Sequence, residues 1–403
     1  MVRRMSRRAG RAREPLQRLI ELLPGFAERA AFHDRADTFV AQNYKELKTA
    51  RLMSLAVPRE IGGDGLDARS LAGVLRRMAP ACASTALAFS MHNQAVASLA
   101  WHWRHQKAPV SSILRRITRD QLAVATTNGS DWLNGSGVAI RTKAGYRISG
   151  RKRIVSGAPS SDLLATSAVY DDPMAGPTIL HFIVPMDSRR IKIEESWHAM
   201  GMRGTGSHHV QIDGIVVSDR AIVIRRPRGK WHPLYHGAVM VATPLIFSVY
   251  LGIAEAARDA AIAVAKTRDL GSSAIEQIGA IEGHFNTVRL ALEDILAAAT
   301  TEPDRYSTKR ILMDRTLAGT AAIAAVEAAL EFVGGAAYIR PHPLERMFRD
   351  VQAARFHPIG PAQQRLLAGR IALDLDIDES ISEDANSSQV QILLGDPDGR
   401  EVS

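Results

Sequence analysis

ATTNGSD (125–131), GRKRIVSGAPSSD (150–162) and WHAMGMRGTGSHHVQIDG (197–214) are polar, glycine-bearing pieces of one stretch that runs from Ala123 to Gly214. Between them lie VAIRTKAGYRISG, LLATSAVYDDP, TILHFIVPM and HHVQIDGIVVSD, alternating or apolar runs broken by Gly, Asp and Pro. Period-two runs between tight turns predict strands, so this stretch reads as a small all-β domain. On either side the pattern changes to helix. Residues 15–115 carry apolar side chains at three- and four-residue spacing, with Pro24–Gly25 as a break and IGGDGLD as a glycine turn. LAGVLRRMAPACASTALAFSMHNQAVASLAW predicts two helices parted at Pro80, the second almost wholly apolar and therefore buried. After a link, RRPRGKWHPLYHG (225–237), three long helical patterns follow, and a fourth runs roughly from Pro361 to Leu375. Ser272 or Ser273 suits the N-cap of the second, and Gly334–Gly335 stops the third. The order is a helical domain at 15–118, a β domain at 119–230 and a helical bundle at 231–377, flanked by tails at 1–14 and 378–403.

Composition narrows the class further. An apolar fraction of 46% with 23% charged residues is that of a globular chain, and 403 residues suffice for two or three domains. The single cysteine, Cys82, excludes a disulfide framework or a Cys-based zinc site within one chain and suits a reducing cytoplasm. No apolar run in the sequence approaches a membrane span. A formal charge of +9 suggests nucleic acid, but its distribution argues otherwise. Arg3, Arg4, Arg7, Arg8, Arg11 and Arg13 precede the first acid, Glu14, while residues 374–403 hold nine carboxylates against Arg400 alone. These read as solvated, disordered tails of opposite sign; the first, Arg-rich and acid-poor, also has the composition of a transit peptide.

Together with VPREIGGDGLD (57–67), GIAEAARDAAIAVAKTR (252–268) and VGGAAYIRPHPLERMFRD (333–350), the three central pieces resemble the acyl-CoA dehydrogenase superfamily of flavoproteins, in unbroken order from about residue 15 to 377. The resemblance implies an α+β fold with an N-terminal helical domain, a central small β-barrel and a C-terminal four-helix bundle. It implies FAD or FMN as cofactor, a small-molecule substrate and a homotetramer, with no nucleic-acid or membrane partner. By the same resemblance Thr126, Thr127 and Ser130 face the pyrimidine edge of the flavin and the cleft, and Ser156 lies near N5. The alternative for NGSD is a polar hairpin turn. The family's longer TEPGxGSD-like loop lacks its Glu and Pro here. Arg268, Gly334 and Gly335 match positions that bind the pyrophosphate of a neighbouring subunit's FAD, where a guanidinium and close backbone approach suit phosphate. They read equally as a helix-end arginine and a helix stop.

The segment 346–358 bears on the reaction. Many dehydrogenases of the family carry a glutamate eight to nine residues after the matching Arg-Asp, and here those positions are His357 and Pro358. The family's other base position falls near Ala242, while Glu345 and Asp350, among Arg346, Arg349 and Arg355, read as structural ion pairs. Without a carboxylate, α-proton abstraction loses its usual base. A histidine there resembles the two-component flavin monooxygenases, which take reduced flavin from a separate reductase. That resemblance implies His92, Asn128, Ser156 and His357 as catalytic residues, with His357 the proton donor near flavin C4a because an ordinary imidazole pKa near 6.5 suits the task. Trp197 and His92 are expected in the substrate cleft. Against this stand a satisfied core histidine at 92, a turn-capping role for His357 and core packing for the tryptophans. His102/His105 and His232/His236 lack a third ligand, so no metal is assigned. Three functions remain open: a monooxygenase of a small aromatic or heteroaromatic substrate, an FAD-dependent acyl-CoA dehydrogenase with a non-standard base, and a flavin-poor binding protein without turnover.

Overall fold

A computed structural model describes residues 14–299 and 302–378, apart from the side chains of Ser130 and Trp132. The expected charged tails lie outside these residues except for Glu14 and Asp378. The N-terminal domain holds α1 (Pro15–Ile20), α2 (Leu23–Ala36), α3 (Ala41–Thr49), α4 (Ala68–Met78), α5 (Ala83–Gln106) and α6 (Ser111–Asp120). Pro24 does not break α2 but sits in its first turn, where a missing N–H costs nothing. Asp67 starts α4 by accepting from Ser70 N at 2.8 Å. Helix α5 is buried along most of its length, as its apolar sequence requires.

The middle domain follows with β1 (Val124–Thr126), α7 (Gly129–Asn134), β2 (Val138–Thr142), β3 (Gly145–Val155), β4 (Leu163–Asp172), β5 (Gly176–Pro185), β6 (Ile191–Glu194), β7 (His208–Val217) and β8 (Ile222–Pro227). These form one eight-stranded sheet in the order β6-β7-β3-β2-β4-β5-β8, with β1 parallel to β4. The pairing runs as an open path between edge strands β6 and β8 rather than as a closed barrel. Pairing of β3 with β7 slips between Lys152 and Val155, and such an irregularity re-aims the residues beside it. The sheet has its own core, including Ile148, Leu164, Phe182 and Val210.

The C-terminal domain comprises α8 (Pro233–Ala265), α9 (Ser272–Ala298), α10 (Arg305–Val333), α11 (Gly335–Tyr338), α12 (Pro343–Val351) and α13 (Pro361–Ala372). The expected link 225–237 is therefore mostly ordered: it holds the end of β8 and the start of α8, whose Pro233 suits a first helical turn. Ser272 is already helical, and Gly271 occupies the N-cap. Helix α10 opens on a capping box between Asp304 and Ser307. Helices α8 and α10 are long and apolar enough to cross a membrane, contrary to the sequence expectation, with mean hydropathies of 1.9 and 1.5. Both are packed inside the bundle, and α4 and α5 rest on α8 so that the two helical domains share one core.

Candidate active site

A cavity of about 440 Å³ opens where the three domains meet, within the roughly 300–1,000 Å³ common for small-molecule sites. Helix α5 contributes Met91, Gln94 and Ser98; the β domain contributes Thr126 to Gly129, Ile154, Ser156 and Trp197; the bundle contributes Ala242, Phe247, Arg315 and His357. No aspartate or glutamate among the described residues lines it.

The β-side wall is held from behind. Asn128 caps α7: its Oδ1 accepts from Asp131 N at 2.9 Å, while its Nδ2 donates to Arg153 O at 3.2 Å. NGSD is thus a helix start rather than a hairpin turn. Asp131 then turns inward, where its Oδ2 accepts from Thr127 Oγ1 at 2.6 Å and its Oδ1 from Lys152 Nζ at 3.1 Å. Lys152 is fully buried and also donates to Ser136 O at 2.6 Å and Ser167 O at 2.5 Å. Burial lowers the lysine's pKa and the Asp131 charge opposes that shift. The pair fixes the 126–131 loop against β3 and β4, and neither member was singled out in the sequence. Alternation along β3 is the signal that could have found it, since Lys152 points inward between exposed Arg151 and Arg153.

A row of hydroxyls runs along the same wall. Ser156 Oγ lies 2.8 Å from Ser207 Oγ, which lies 2.7 Å from Thr205 Oγ1, which donates to Met202 O at 2.9 Å. Trp197 Nε1 donates to the same carbonyl at 3.1 Å. That loop is tied to the bundle through Met202 N, which donates to the buried Asp350 carboxylate at 2.5 Å. Burial raises Asp350 to about 6. It forms a backbone hydrogen bond rather than the expected ion pair, whereas Glu345 does pair with Arg349 at 2.8 Å.

On the bundle side, His357 Nε2 lies 2.5 Å from the hydroxyl of Tyr250. Burial, and then the Arg315 guanidinium, lower the histidine to about 3, while burial raises Tyr250 well above its ordinary value. The expected imidazole pKa near 6.5 does not hold, and the ring is neutral at neutral pH. Tyr250 therefore donates to Nε2, and the ring's N–H sits at Nδ1, which has no protein partner among the described residues. His357 O accepts from Arg315 Nη2. Gly129 locks this segment to the β domain: a Cβ there would meet Pro358 Cγ at 2.5 Å.

The structure thus brings Thr126, Thr127, Asn128, Ser156, Trp197 and His357 to one cavity. Ser130 belongs to the same loop, but its side chain lies outside the described residues. His92 is not part of the lining. It is 1% exposed, its Nδ1 accepts from Val124 N at 3.0 Å, and its Nε2 bonds Met53 O at 2.9 Å. One nitrogen ties α5 to β1 and the other ties it to the segment after α3, so His92 is a core residue and not the cleft residue expected from the sequence. Arg268 and Gly334–Gly335 are neighbours but stand apart from this chain's cavity. Arg268 reaches Val333 O at 3.3 Å and Phe332 O at 3.4 Å, capping α10.

These residues suit a planar ring with polar edges and apolar faces. Hydroxyl and amide groups converge on one wall, and lining residues including Gln94 (Oε1), Trp101 (Nε1) and Arg315 (Nε) hold buried atoms without protein partners among the described residues. Matches to known families agree with the fold. Residues 22–107, 125–215 and 245–360 match the N-terminal, middle and C-terminal domains of acyl-CoA dehydrogenase. The chain belongs to the acyl-CoA dehydrogenase superfamily and is an enzyme of this flavin-dependent class. It is 28% identical over 357 residues to an L-evernosamine nitrososynthase of a Micromonospora species, covering 84% of each chain. A putative acyl-CoA dehydrogenase of Bacillus subtilis, YdbM, is 25% identical over 369 residues, covering 86% of this chain and 93% of the other. The solved structure of KijD3 with FMN and dTDP-3-amino-2,3,6-trideoxy-4-keto-3-methyl-D-glucose superposes with a TM-score of 0.84 at 27% identity, covering 92% of this chain and 96% of that one.

Proposed function

We propose that the protein is a reduced-flavin-dependent monooxygenase of a small, largely apolar substrate. The observation that carries this reading is a cavity without a carboxylate: its lining offers hydroxyls, amides, histidines and an arginine, and no acid among the described residues. A thioester desaturase needs a strong base there, and an imidazole lowered to about 3 is a weak one. Kinship with a nitrososynthase supports the same reading, because a nitroso group is made by adding oxygen to nitrogen. When bound, reduced FMN or FAD supplies the two electrons with which one atom of O2 joins the substrate and the other leaves as water.

The chain's own residues then do three things. Thr126, Thr127 and Ser156 hold the polar edge of the ring. His357, neutral and braced by Tyr250, presents its Nδ1–H as a hydrogen-bond donor to the reacting oxygen. Trp101, Trp197 and Phe247 wall the cavity and exclude water. A separate reductase supplies the reduced cofactor. Arg268 with Gly334–Gly335 serves a neighbouring subunit in a homotetramer, to which the exposed Ile275, Leu290, Met313 and Leu317 of α9 and α10 lend apolar surface.

Anaerobic titration tests the proposal. FMNH2 or FADH2 is expected to bind at least tenfold more tightly than the oxidised form, and admission of O2 with substrate to place one labelled oxygen in the product. Tight binding of oxidised FAD together with its anaerobic bleaching by any acyl-CoA would overturn the reading.

A further inference from the structure

One charge in the cavity has no counter-charge among the described residues. Arg315, on α10, is 3% exposed and lines the cavity, its guanidinium carbon 5.7 Å from the centre of the Phe247 ring. Its one hydrogen bond among the described residues runs from Nη2 to His357 O. Its Nε is buried without an acceptor. Other buried cations have more hydrogen-bond partners. Lys152 meets the Asp131 carboxylate, and Arg226 donates to His181 Nε2 at 3.0 Å and Leu133 O at 3.0 Å. Burial lowers the Arg315 pKa, with only Tyr250 opposing it, which marks the cost of a charge sunk without an anion.

Holding one carbonyl does not require a guanidinium at that cost. A fixed cation on a cavity wall that bears no acid among the described residues is instead complementary to a ligand that brings its own negative charge. The apolar surroundings of Phe247, Leu312 and Ile246 leave that group little else to bind. We infer that Arg315 is a specificity-determining residue that receives a terminal anionic oxygen group, carboxylate or phosphate, on a small and otherwise apolar substrate. The inference rests on the proposed reading of the cavity as the substrate site.

The test needs no turnover. Benzoate and phenyl phosphate, with neutral benzamide as the isostere, are titrated into the flavin-free full chain, read by quenching of the tryptophans, of which Trp101, Trp197 and Trp231 line the cavity. A hydrogen bond to a charged group is worth roughly tenfold to a hundredfold in affinity, so at least one anion is expected to bind tenfold or more tighter than benzamide. The two anions identify which group the site prefers. Arg315→Gln should abolish the preference, and Arg315→Lys should retain part of it. Equal binding of benzamide by the wild-type chain overturns the inference even if every variant misfolds, as does an anion preference that survives in Arg315→Gln. Reduced-flavin binding, measured on the same samples, separates this outcome from failure of the monooxygenase reading: loss of flavin binding with the anion preference intact rejects only the latter.

Discussion

Replacing His92 by Gln turns the placement of this residue into an acid-stability experiment. In the folded chain the ring holds Val124 N through Nδ1 and Met53 O through Nε2. A second proton would have to sit on Nδ1 against an N–H donor. Burial lowers its pKa from 6.5 to about 4. Above pH 6.5 the ring is neutral in both states and contributes no pH dependence. As pH falls from 6.5 towards 4 the unfolded chain takes up a proton that the folded chain refuses, so stability is lost across that window and levels off below it. At about 1.4 kcal/mol per pKa step, the gap amounts to about 3 kcal/mol. Urea unfolding followed by tryptophan fluorescence at pH 7, 6, 5 and 4 measures it. The variant should be less stable at pH 7 by about 1–3 kcal/mol from the lost hydrogen bonds. Its deficit should then shrink by about 3 kcal/mol by pH 4. Because His357 and His236 also titrate low, only the difference between the two proteins reports on His92. A deficit that stays constant with pH, or a His92 titration by NMR near 6.5, refutes the reasoning.

Lys152→Met leaves Asp131 buried without its cation and should cost about 3–5 kcal/mol in urea unfolding. Adding Asp131→Asn should recover most of that, and a double-mutant cycle showing no coupling would contradict the pairing. Tyr250→Phe removes the donor to His357 Nε2 and should cost about 1–3 kcal/mol. It should also raise the rate at which the reduced flavin–protein complex loses its electrons to O2 without product; an unchanged rate would separate Tyr250 from the site.

The domain order was legible because period and punctuation agree along the chain: apolar spacing of three to four gives way to alternation at Ala123 and returns near Pro233. The wall residues Thr126, Thr127, Asn128 and Ser156 and the opposite His357 were implied by resemblance to the family's motifs, and all five line the cavity. What escaped depends on tertiary packing. A lone histidine in an apolar helix reads the same whether it faces a ligand or a neighbouring strand, and only the nearby β1 decides for His92. The start of α8 was hidden by prolines and glycines that read as linker, though Pro233 is tolerated in a first turn and Pro244 sits within the helix. Lys152 and Asp131 lie 21 residues apart in sequence, and their meeting follows from the inward alternation of β3 and the Asn128 cap. Arg315 was visible in principle. It shares a helical face with buried Leu312 and Ala322, a position where an unpaired cation calls for an explanation.

The hydroxyl row along the β wall has a direction. Each hydroxyl has a single hydrogen to give. That of Thr205 goes to the Met202 carbonyl, so Ser207 must donate to Thr205 and Ser156 must donate to Ser207. Ser156 is left offering the cavity lone pairs alone. An isoalloxazine carries hydrogen on N5 when reduced and a bare lone pair there when oxidised, so with Ser156 set against N5, as the proposed function has it, this polarity would favour the first over the second. Under the proposed function, three side chains wired in series would let the protein sense the oxidation state of its cofactor before any oxygen arrives.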